Sequence, residues 1–366
     1  MKSILISTSS LWNCGDDFIR EGIINLLNFK ENINIIWWNR GYGISNSYAN
    51  DLNVNLPLMS YFVVAGTPQW VYKNVRIYKY CLKHDIPFSL IGVGTKNLYK
   101  YHLNLLKKLA RANLCEIALA RDKMALEAFK DIGFKNIGLI SDPAFFMKPI
   151  QNDRKDLNII GWRKQFWPES ADYSIIFYLK YYKSLIKKIK YYLLFEKLTN
   201  QKKREEYNNF FKYIFDEMDS PKLVVVHDNR EIKEAEKLFG EGNVFYSTDY
   251  WKIFEIYSRS KTYIGSRIHG AIPSLIHGTP ICLIYTSNKA SVIETSKEIF
   301  EKHNTKIENM IKVKYWKKND SNGIKYNDMG FNKVCKVKLN EAINIERDRI
   351  RNILKCQKEL SNYIKS

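Results

Sequence analysis

Short apolar runs alternate with stretches of helical periodicity along most of this chain, and this alternation limits the fold more than any other feature. In the helical stretches apolar residues recur every three or four positions, as they do over 15–27. Continuous apolar strands separated by helices are typical of parallel sheets covered by helices on both faces. We therefore predict an α/β fold. The first strand-like runs are 3–7, 33–38, 61–65, 88–93 and 116–120, and the helical stretches between them include 72–83, 98–112 and 123–132.

A second series of the same kind begins near residue 222, with strand-like runs at 223–227, 243–246, 262–265 and 280–285. The chain has 366 residues, more than the roughly 250 at which a single core stops growing. We therefore predict two α/β domains that face a cleft, a usual place for a ligand. Their expected bounds are 1–160 and 221–335, with a basic helical insert at 161–220 and a C-terminal helix at 336–366.

The net charge of +20 by itself suggests a nucleic-acid or membrane partner. The chain is also rich in Lys, Asn, Ile and Tyr, as AT-rich genomes encode, so lysines on solvated faces are the first interpretation of much of the excess. The densest basic stretch, 177–204, holds nine basic residues and one acidic residue at amphipathic helical spacing. Packing on the protein with the lysines in solvent is the first interpretation, an anionic membrane surface the second, and nucleic acid the least favoured.

The sequence has no apolar run of about 20 residues, the length that a membrane-spanning helix needs, so we do not expect an integral membrane protein. Six scattered cysteines without a CxxC pair indicate free thiols in a reducing compartment. The apolar run at the start is interpreted as a first strand and not as a signal peptide. We expect a cytoplasmic protein, with the inner face of the membrane as a further location if residues 177–204 bind lipid.

Candidate ligand-binding residues follow several strands, where open α/β sheets bind their ligands. Asn13, Gly15 and Asp16 open the first helix, whose N-terminal N–H groups attract anions, although plain helix capping explains Asn13 and Asp16 as well. Gly66 and Gly94 follow two further strands, but neither forms a dinucleotide fingerprint or a P-loop.

Arginines are the next candidates for an anionic ligand. Arg121, where a strand turns into a helix, can clamp a carboxylate or phosphate, or else pair locally with Asp122. Residues 141–144 have the composition of an ordinary turn.

The richest motif is the stretch 265–280, where a strand ends at Gly265 and a helix begins near Arg267. Ser266, Arg267 and His269 therefore lie at a helix N-terminus, which combines a dipole, unpaired N–H groups and a guanidinium. A histidine in this position can do acid–base work near neutral pH. His277, near the end of the same helix, is interpreted as a dipole partner or packing residue.

These motifs, in order, resemble the polysaccharide pyruvyl transferase family. The resemblance covers roughly 1–150 and 222–300 and rests on NCGDD, VVAGTP, SLIGVGTKN, LARD, SDPAFF and, above all, SRIHGAIPSLIHGTP. It implies two Rossmann-like domains of the glycosyltransferase-B type. It also implies transfer of a pyruvyl group from phosphoenolpyruvate to two sugar hydroxyls as a cyclic ketal, with no further cofactor and no metal. A lipid-linked acceptor would give the basic stretch 177–204 a membrane role.

The resemblance assigns donor binding and catalysis to Arg267 and His269, and less directly donor binding to Arg121. His269 as imidazolium would protonate the enol carbon and afterwards accept a proton from a sugar hydroxyl. The predicted site thus has His269 and Arg267 as catalytic residues. The predicted substrate-binding residues are Asn13, Gly15, Asp16, Gly66, Gly94, Arg121, Ser266 and Lys289.

Two alternatives remain open. A glycosyltransferase with a nucleotide-sugar donor would need an acidic residue for the ribose, and Glu294 is the candidate. A basic nucleic-acid-binding protein would use 177–204, where lysines alternate with aromatic residues.

Overall fold

Two wholly parallel six-stranded sheets form the framework of the protein in this computed structural model. The structure describes residues 2–8, 13–39, 52–66, 70–71, 74–94, 100–152, 154–164, 201–202, 204–285, 291–303, 311–315 and 336–365. The predicted architecture of two parallel-sheet α/β units is confirmed.

The N-terminal sheet has the strand order β2-β1-β3-β4-β5-β6. Its central strands are buried on both faces, as their unbroken apolar sequences predict. The strand order reverses between β1 and β3, which makes the carboxyl ends of these strands the expected place for a ligand. The strands are β1 (Ser3–Thr8), β2 (Asn34–Asn39), β3 (Tyr61–Ala65), β4 (Phe88–Val93), β5 (Cys115–Ala120) and β6 (Ile137–Leu139), and the helices are α1 (Cys14–Leu27), α2 (Leu52–Asn55), α3 (Val75–His84), α4 (Lys100–Arg111) and α5 (Lys123–Ile132).

The second sheet has the strand order β12-β11-β10-β7-β8-β9 and reverses between β10 and β7. The strands are β7 (Leu157–Gly161), β8 (Lys222–Val225), β9 (Val244–Phe245), β10 (Ser260–Gly265), β11 (Ile281–Tyr285) and β12 (Ile311–Tyr315). The helices are α6 (204–217), α7 (Ile232–Phe239), α8 (Tyr250–Ser258), α9 (Ile268–Ile276) and α10 (Ser291–Lys302).

β7 and α6 differ from the predicted domain bounds. β7 pairs with β8 and β10 in the second sheet, although the sequence placed residues up to 160 in the N-terminal domain. Tyr207, Phe211 and Ile214 of α6 are buried in the same core as Ile160, so this end of the predicted insert at 161–220 forms the crossover between β7 and β8. Of the basic stretch 177–204, only residues 201, 202 and 204 are described, and the remainder of its predicted helix lies outside the described residues.

Helix α11 (Lys336–Lys355) confirms the predicted C-terminal helix and packs against both α1 and α10. Its buried side chains include Ile343, Ile350 and Leu354, as the periodicity predicts. Arg351 donates to the main-chain oxygens of Asn25 (2.6 Å) and Leu26 (3.2 Å), the last turn of α1. These carbonyls have no partner within α1, so Arg351 caps that helix and joins α11 to the N-terminal unit.

Helix α1 is the main link between the two units. Phe18 packs against Phe254 of α8 with ring centroids 5.7 Å apart, and one apolar core contains residues of both sheets. On the same helix, a Cβ on Gly22 would lie 1.8 Å from the carbonyl oxygen of Pro143, so only glycine lets α1 approach this close. Among the described helices, none is long and apolar enough to cross a lipid bilayer.

Candidate functional site

A buried ion pair lies at the carboxyl ends of β5 and β6. Arg121 Nη1 is 2.7 Å from Asp142 Oδ2, and the side chains are 8% and 0% exposed. Burial alone would raise the pKa of Asp142, but the positive charge of Arg121 and the interaction with His269 outweigh it and hold that pKa well below its usual range. Asp142 is therefore an ionised carboxylate at neutral pH.

The main chain around Asp142 fixes the orientation of its carboxylate. Asp142 Oδ1 accepts a hydrogen bond of 3.0 Å from the N–H of Ala144. The N–H of Asp142 donates over 3.2 Å to Ser296 Oγ on α10, which belongs to the second unit. Asp142 is thus held through its carboxylate by the first unit and through its main-chain N–H by the second.

His269 approaches the same carboxylate from the first turn of α9. Its Nε2 lies 3.5 Å from Asp142 Oδ2, and its side chain is 17% exposed. Among the described residues, this Nε2 has no hydrogen-bond partner. The fold therefore places an acid–base group of the second unit beside a carboxylate of the first, and Arg121 and His269 approach the same oxygen, Oδ2, of Asp142.

Two glycines give the cluster its space. A Cβ on Gly15 would lie 2.6 Å from His269 Nδ1, so the imidazole occupies the place where any other residue would carry its side chain. A Cβ on Gly94 would lie 2.7 Å from Asp122 Oδ2 and 3.1 Å from Arg121 Nε. This Nε is buried and, within the described part of the chain, lacks a hydrogen-bond partner, so it retains a donor for an anion.

Tyrosines hold the loop that precedes His269. The hydroxyl of Tyr207 is 2.6 Å from Ser266 Oγ, and the hydroxyl of Tyr263 donates to the carbonyl oxygen of Arg267 over 2.7 Å. A Cβ on Gly270 would lie 2.6 Å from the hydroxyls of Tyr257 and Tyr263. The start of α9 therefore packs against Tyr257 and Tyr263, and the hydroxyl of Ser266 is hydrogen-bonded to that of Tyr207.

Arg267 pairs with Glu231, whereas its neighbour His269 lies beside Asp142. The Nη2 of Arg267 pairs with Glu231 Oε2, and its Nε donates to the carbonyl oxygen of Trp162 over 3.0 Å. Both side chains are nearly buried. Burial raises the pKa of Glu231 while Arg267 opposes that shift, and Glu231 Oε1 accepts from the N–H of Lys164. In this structure Arg267 ties the start of α9 to the ends of β7 and β8.

The remaining predicted residues take several positions. Asn13 caps α1, with its Oδ1 accepting from the N–H of Gly15 over 3.2 Å and its Nδ2 3.5 Å from Asp16 Oδ2. Gly66 has a left-handed φ of 58° and packs against Ile19, where a Cβ would lie 2.5 Å from Cγ2. In the structure, Asn13 thus acts as the N-cap of α1, which is one of its two interpretations from the sequence. Lys289 lies outside the described residues.

The model of the polysaccharide pyruvyl transferase family matches residues 13–288, more than half of the chain. The chain belongs to the polysaccharide pyruvyl transferase family. It is therefore a member of an enzyme family, and its family assignment agrees with the resemblance found in the sequence motifs. No curated protein is significantly similar to the chain in sequence.

Solved structures share the fold of this pyruvyl transferase family member. It aligns with a co-structure of MnaA from S. aureus with UDP at a TM-score of 0.54 and 11% identity, over 97% of this chain and 96% of that chain. A putative UDP-N-acetylglucosamine 2-epimerase from Listeria monocytogenes gives a TM-score of 0.54 and 9% identity over the same shares. These likenesses confirm the predicted fold of the glycosyltransferase-B type.

Two other histidines of the second unit have structural roles. His277 Nε2 accepts from the N–H of Ile150 (2.9 Å), so its Nδ1 carries the proton that bonds the carbonyl oxygen of Pro273 (2.6 Å). His227 lies 2.6 Å from the hydroxyl of Tyr257, and burial, reinforced by Arg267 and His269, lowers its pKa well below its usual value. Of these three histidines, His269 is the one that keeps a partly exposed imidazole.

Asp142 and Glu231 were not among the predicted site residues. Asp142 stands in a Ser-Asp-Pro turn and Glu231 at the start of a charged helix, where carboxylates are common. The position of Asp142 could have identified it, because it follows a strand that lies in the same sheet as the strand before Arg121. Glu231 has no comparable signal, because its contact with Arg267 joins two different loops.

Proposed function

We propose that the protein transfers the pyruvyl group of phosphoenolpyruvate to two hydroxyls of a sugar, in a glycan or glycan precursor, and forms a cyclic ketal. The observation that carries the proposal is the Arg121–Asp142–His269 cluster, which both units build at the carboxyl ends of their strands in a member of this family. Phosphoenolpyruvate is the donor substrate, and the proposed reaction needs no further cofactor.

Donor binding would rest on positive charge and free N–H groups. Phosphoenolpyruvate carries about three negative charges when fully ionised, and guanidinium groups and helix N-termini are the usual partners of such anions. Arg121 offers its Nε, which has no hydrogen-bond partner among the described residues, and α9 begins with its N-terminus beside His269. Lys289 stays a predicted further positive charge.

His269 would act first as acid and then as base. Its imidazolium, 3.5 Å from the Asp142 carboxylate, gives a proton to the methylene carbon of the donor, which becomes a methyl group and leaves the neighbouring carbon electrophilic. The first sugar hydroxyl adds to that carbon and returns its proton to His269. The C–O bond to phosphate then breaks, and phosphate leaves with the electron pair. The second hydroxyl closes the ring, and its proton leaves with the phosphate.

A nucleotide-sugar donor is the second candidate, favoured by the fold likeness to MnaA, whose co-structure contains UDP. Glu294, the residue that the sequence suggests for the ribose, lies in the first turn of α10.

We do not propose a nucleic-acid partner. Free cysteines, five among the described residues, suit the reducing cytoplasm that we propose as the location, at the inner face of the membrane for a lipid-linked acceptor.

The proposal is tested by ligand-dependent thermal stabilisation and by phosphate release. We expect phosphoenolpyruvate, and not UDP-N-acetylglucosamine, to raise the melting temperature of the wild type. His269→Ala should lower phosphate release in the presence of acceptor glycan by about 100-fold or more, since general acid catalysis contributes about 10²–10⁴. His84→Ala, at the exposed end of α3, is the matched control.

Wild-type turnover in His269→Ala would refute the catalytic assignment. Stabilisation by the nucleotide sugar and not by phosphoenolpyruvate would favour the second candidate and refute the first. An equal loss of phosphate release in His84→Ala and in His269→Ala would also refute the assignment, because the loss would not depend on the site.

A further inference from the structure

An open groove of about 320 Å³ lies on the N-terminal unit between α3 and the segment formed by α2 and the 3-10 turn Leu56–Leu58. It is remote in sequence from the residues of the proposed site. Among the described residues that line it, three are cations and none is acidic, although the protein has 38 acidic residues. The lining residues are Leu52, Asn53, Leu56, Pro57, Arg76, Lys79, Tyr80 and Lys83.

The three cations form one stripe of α3. Arg76, Lys79 and Lys83 are spaced by three and four residues, which places them on one helix face, and all three are exposed. Arg76 donates to Asn53 on α2, so its guanidinium bridges the two walls of the groove. The opposite face of α3 is buried in the core through Ile77, Tyr78 and Cys81, which makes the stripe part of a rigid surface.

The segment that faces this stripe across the groove carries two exposed aliphatic side chains. Val54 and Leu58 are 43% and 55% exposed, and among the described residues only six large apolar side chains are exposed to this degree. They belong to the segment that forms the other wall of the groove. Exposed aliphatic groups next to a row of cations are typical of surfaces that bind anionic membranes, since the cations meet the phosphates and the aliphatic groups enter the acyl boundary.

We propose that this groove face, defined by Val54, Leu58, Arg76, Lys79 and Lys83, docks on an anionic phospholipid bilayer. The charge complementarity fits the phosphates of the headgroups, and the two aliphatic side chains fit an apolar layer directly beneath them. A nucleic acid has no such layer, and its phosphates would leave Val54 and Leu58 in water. This docking surface is separate from the predicted membrane role of 177–204 and does not depend on the identity of the donor.

The test is co-sedimentation of the full chain with vesicles of phosphatidylcholine and phosphatidylglycerol in equal amounts, and with phosphatidylcholine alone. Binding should require phosphatidylglycerol. Arg76→Gln, Lys79→Gln and Lys83→Gln together should weaken it by about 100-fold, since each cation at an anionic surface contributes roughly a factor of five. Leu58→Ser alone should weaken it several-fold, because the inserted side chain is lost.

Matched variants separate this surface from the general charge of the protein. Lys233→Gln, Lys237→Gln and Lys261→Gln remove the same charge from exposed positions of the second unit, and Met124→Ser removes another exposed apolar side chain. Both control variants should bind as the wild type does. All variants keep residues 177–204, so that segment contributes equally, and an unchanged melting temperature confirms that each is folded.

The groove triple variant carries Arg76→Gln, Lys79→Gln and Lys83→Gln, and the lysine control carries the three substitutions in the second unit. Equal binding by these two variants would overturn the proposal. So would unchanged binding of Leu58→Ser, because a purely electrostatic surface would not need the aliphatic group. Tighter binding to duplex DNA than to the vesicles, with loss in the groove triple variant alone, would assign the groove to nucleic acid instead.

Discussion

Replacement of Asp142 by asparagine tests the centre of the proposed site. The amide keeps the size of the side chain and an oxygen for the N–H of Ala144, but it removes the charge that faces Arg121 at 2.7 Å. Arg121 would then remain buried without the carboxylate that pairs with it in the structure. Loss of one partner of a buried ion pair costs about 3–5 kcal/mol, which for a domain of this size lowers the melting temperature by roughly 6–20 °C.

The pH dependence of this loss follows from the lowered pKa of Asp142. A carboxyl whose pKa is lower in the folded state stabilises the fold above its unfolded pKa near 4, and that stabilisation is lost as the pH falls through the folded pKa. The difference in stability between wild type and Asp142→Asn should therefore be full at neutral pH and shrink below about pH 4.

Thermal unfolding measured from neutral to acidic pH is the assay, with Asp249→Asn as the matched control. Asp249 caps α8 through the N–H of Trp251 and is exposed, so asparagine should replace it without cost. Arg121→Gln combined with Asp142→Asn should cost less than the sum of the single changes, because the two residues share one interaction. Asp142→Asn as stable as the wild type at neutral pH would refute the reasoning.

Two glycine substitutions test the packing around the cluster. Gly15→Ala should displace His269 and lower phosphate release, because its Cβ would lie 2.6 Å from Nδ1 and 2.8 Å from Cβ of that histidine; turnover at the wild-type rate would contradict this role. Gly22→Ala should instead destabilise the protein severely, because its Cβ would lie 1.8 Å from the main-chain oxygen of Pro143, and a melting temperature equal to that of the wild type would show that α1 can shift.

Elements with an unbroken apolar pattern were predictable from the sequence, whereas β6, β7 and β12 were not. β3, β4 and α5 have the predicted bounds, because each carries an unbroken pattern between clear turn residues. β6 has three residues and β7 includes a polar asparagine, so neither stands out as an apolar run. β12 alternates with lysines at the edge of its sheet, a pattern that edge strands share with exposed segments.

The candidate site was predictable where it depends on strand ends. Arg121 and His269 each follow a strand of a parallel sheet, and local periodicity is enough to place them at its carboxyl edge. Which charges pair was not predictable, since Arg267 contacts Glu231 and not the Asp142 carboxylate of the Arg121–Asp142–His269 cluster. Such pairing depends on how loops from separate βα units approach one another.

The sequence by itself determined two parallel α/β units, a family and a histidine at a helix start, because short-range periodicity and local motifs specify these. Only the tertiary structure decided that His269 of one unit stands 3.5 Å from Asp142 of the other. It also decided that Gly15 provides the space for this approach. The physical reason is that residues more than a hundred positions apart meet only when α1 and α9 pack together, and that packing is set by side-chain shape across the interface between the units.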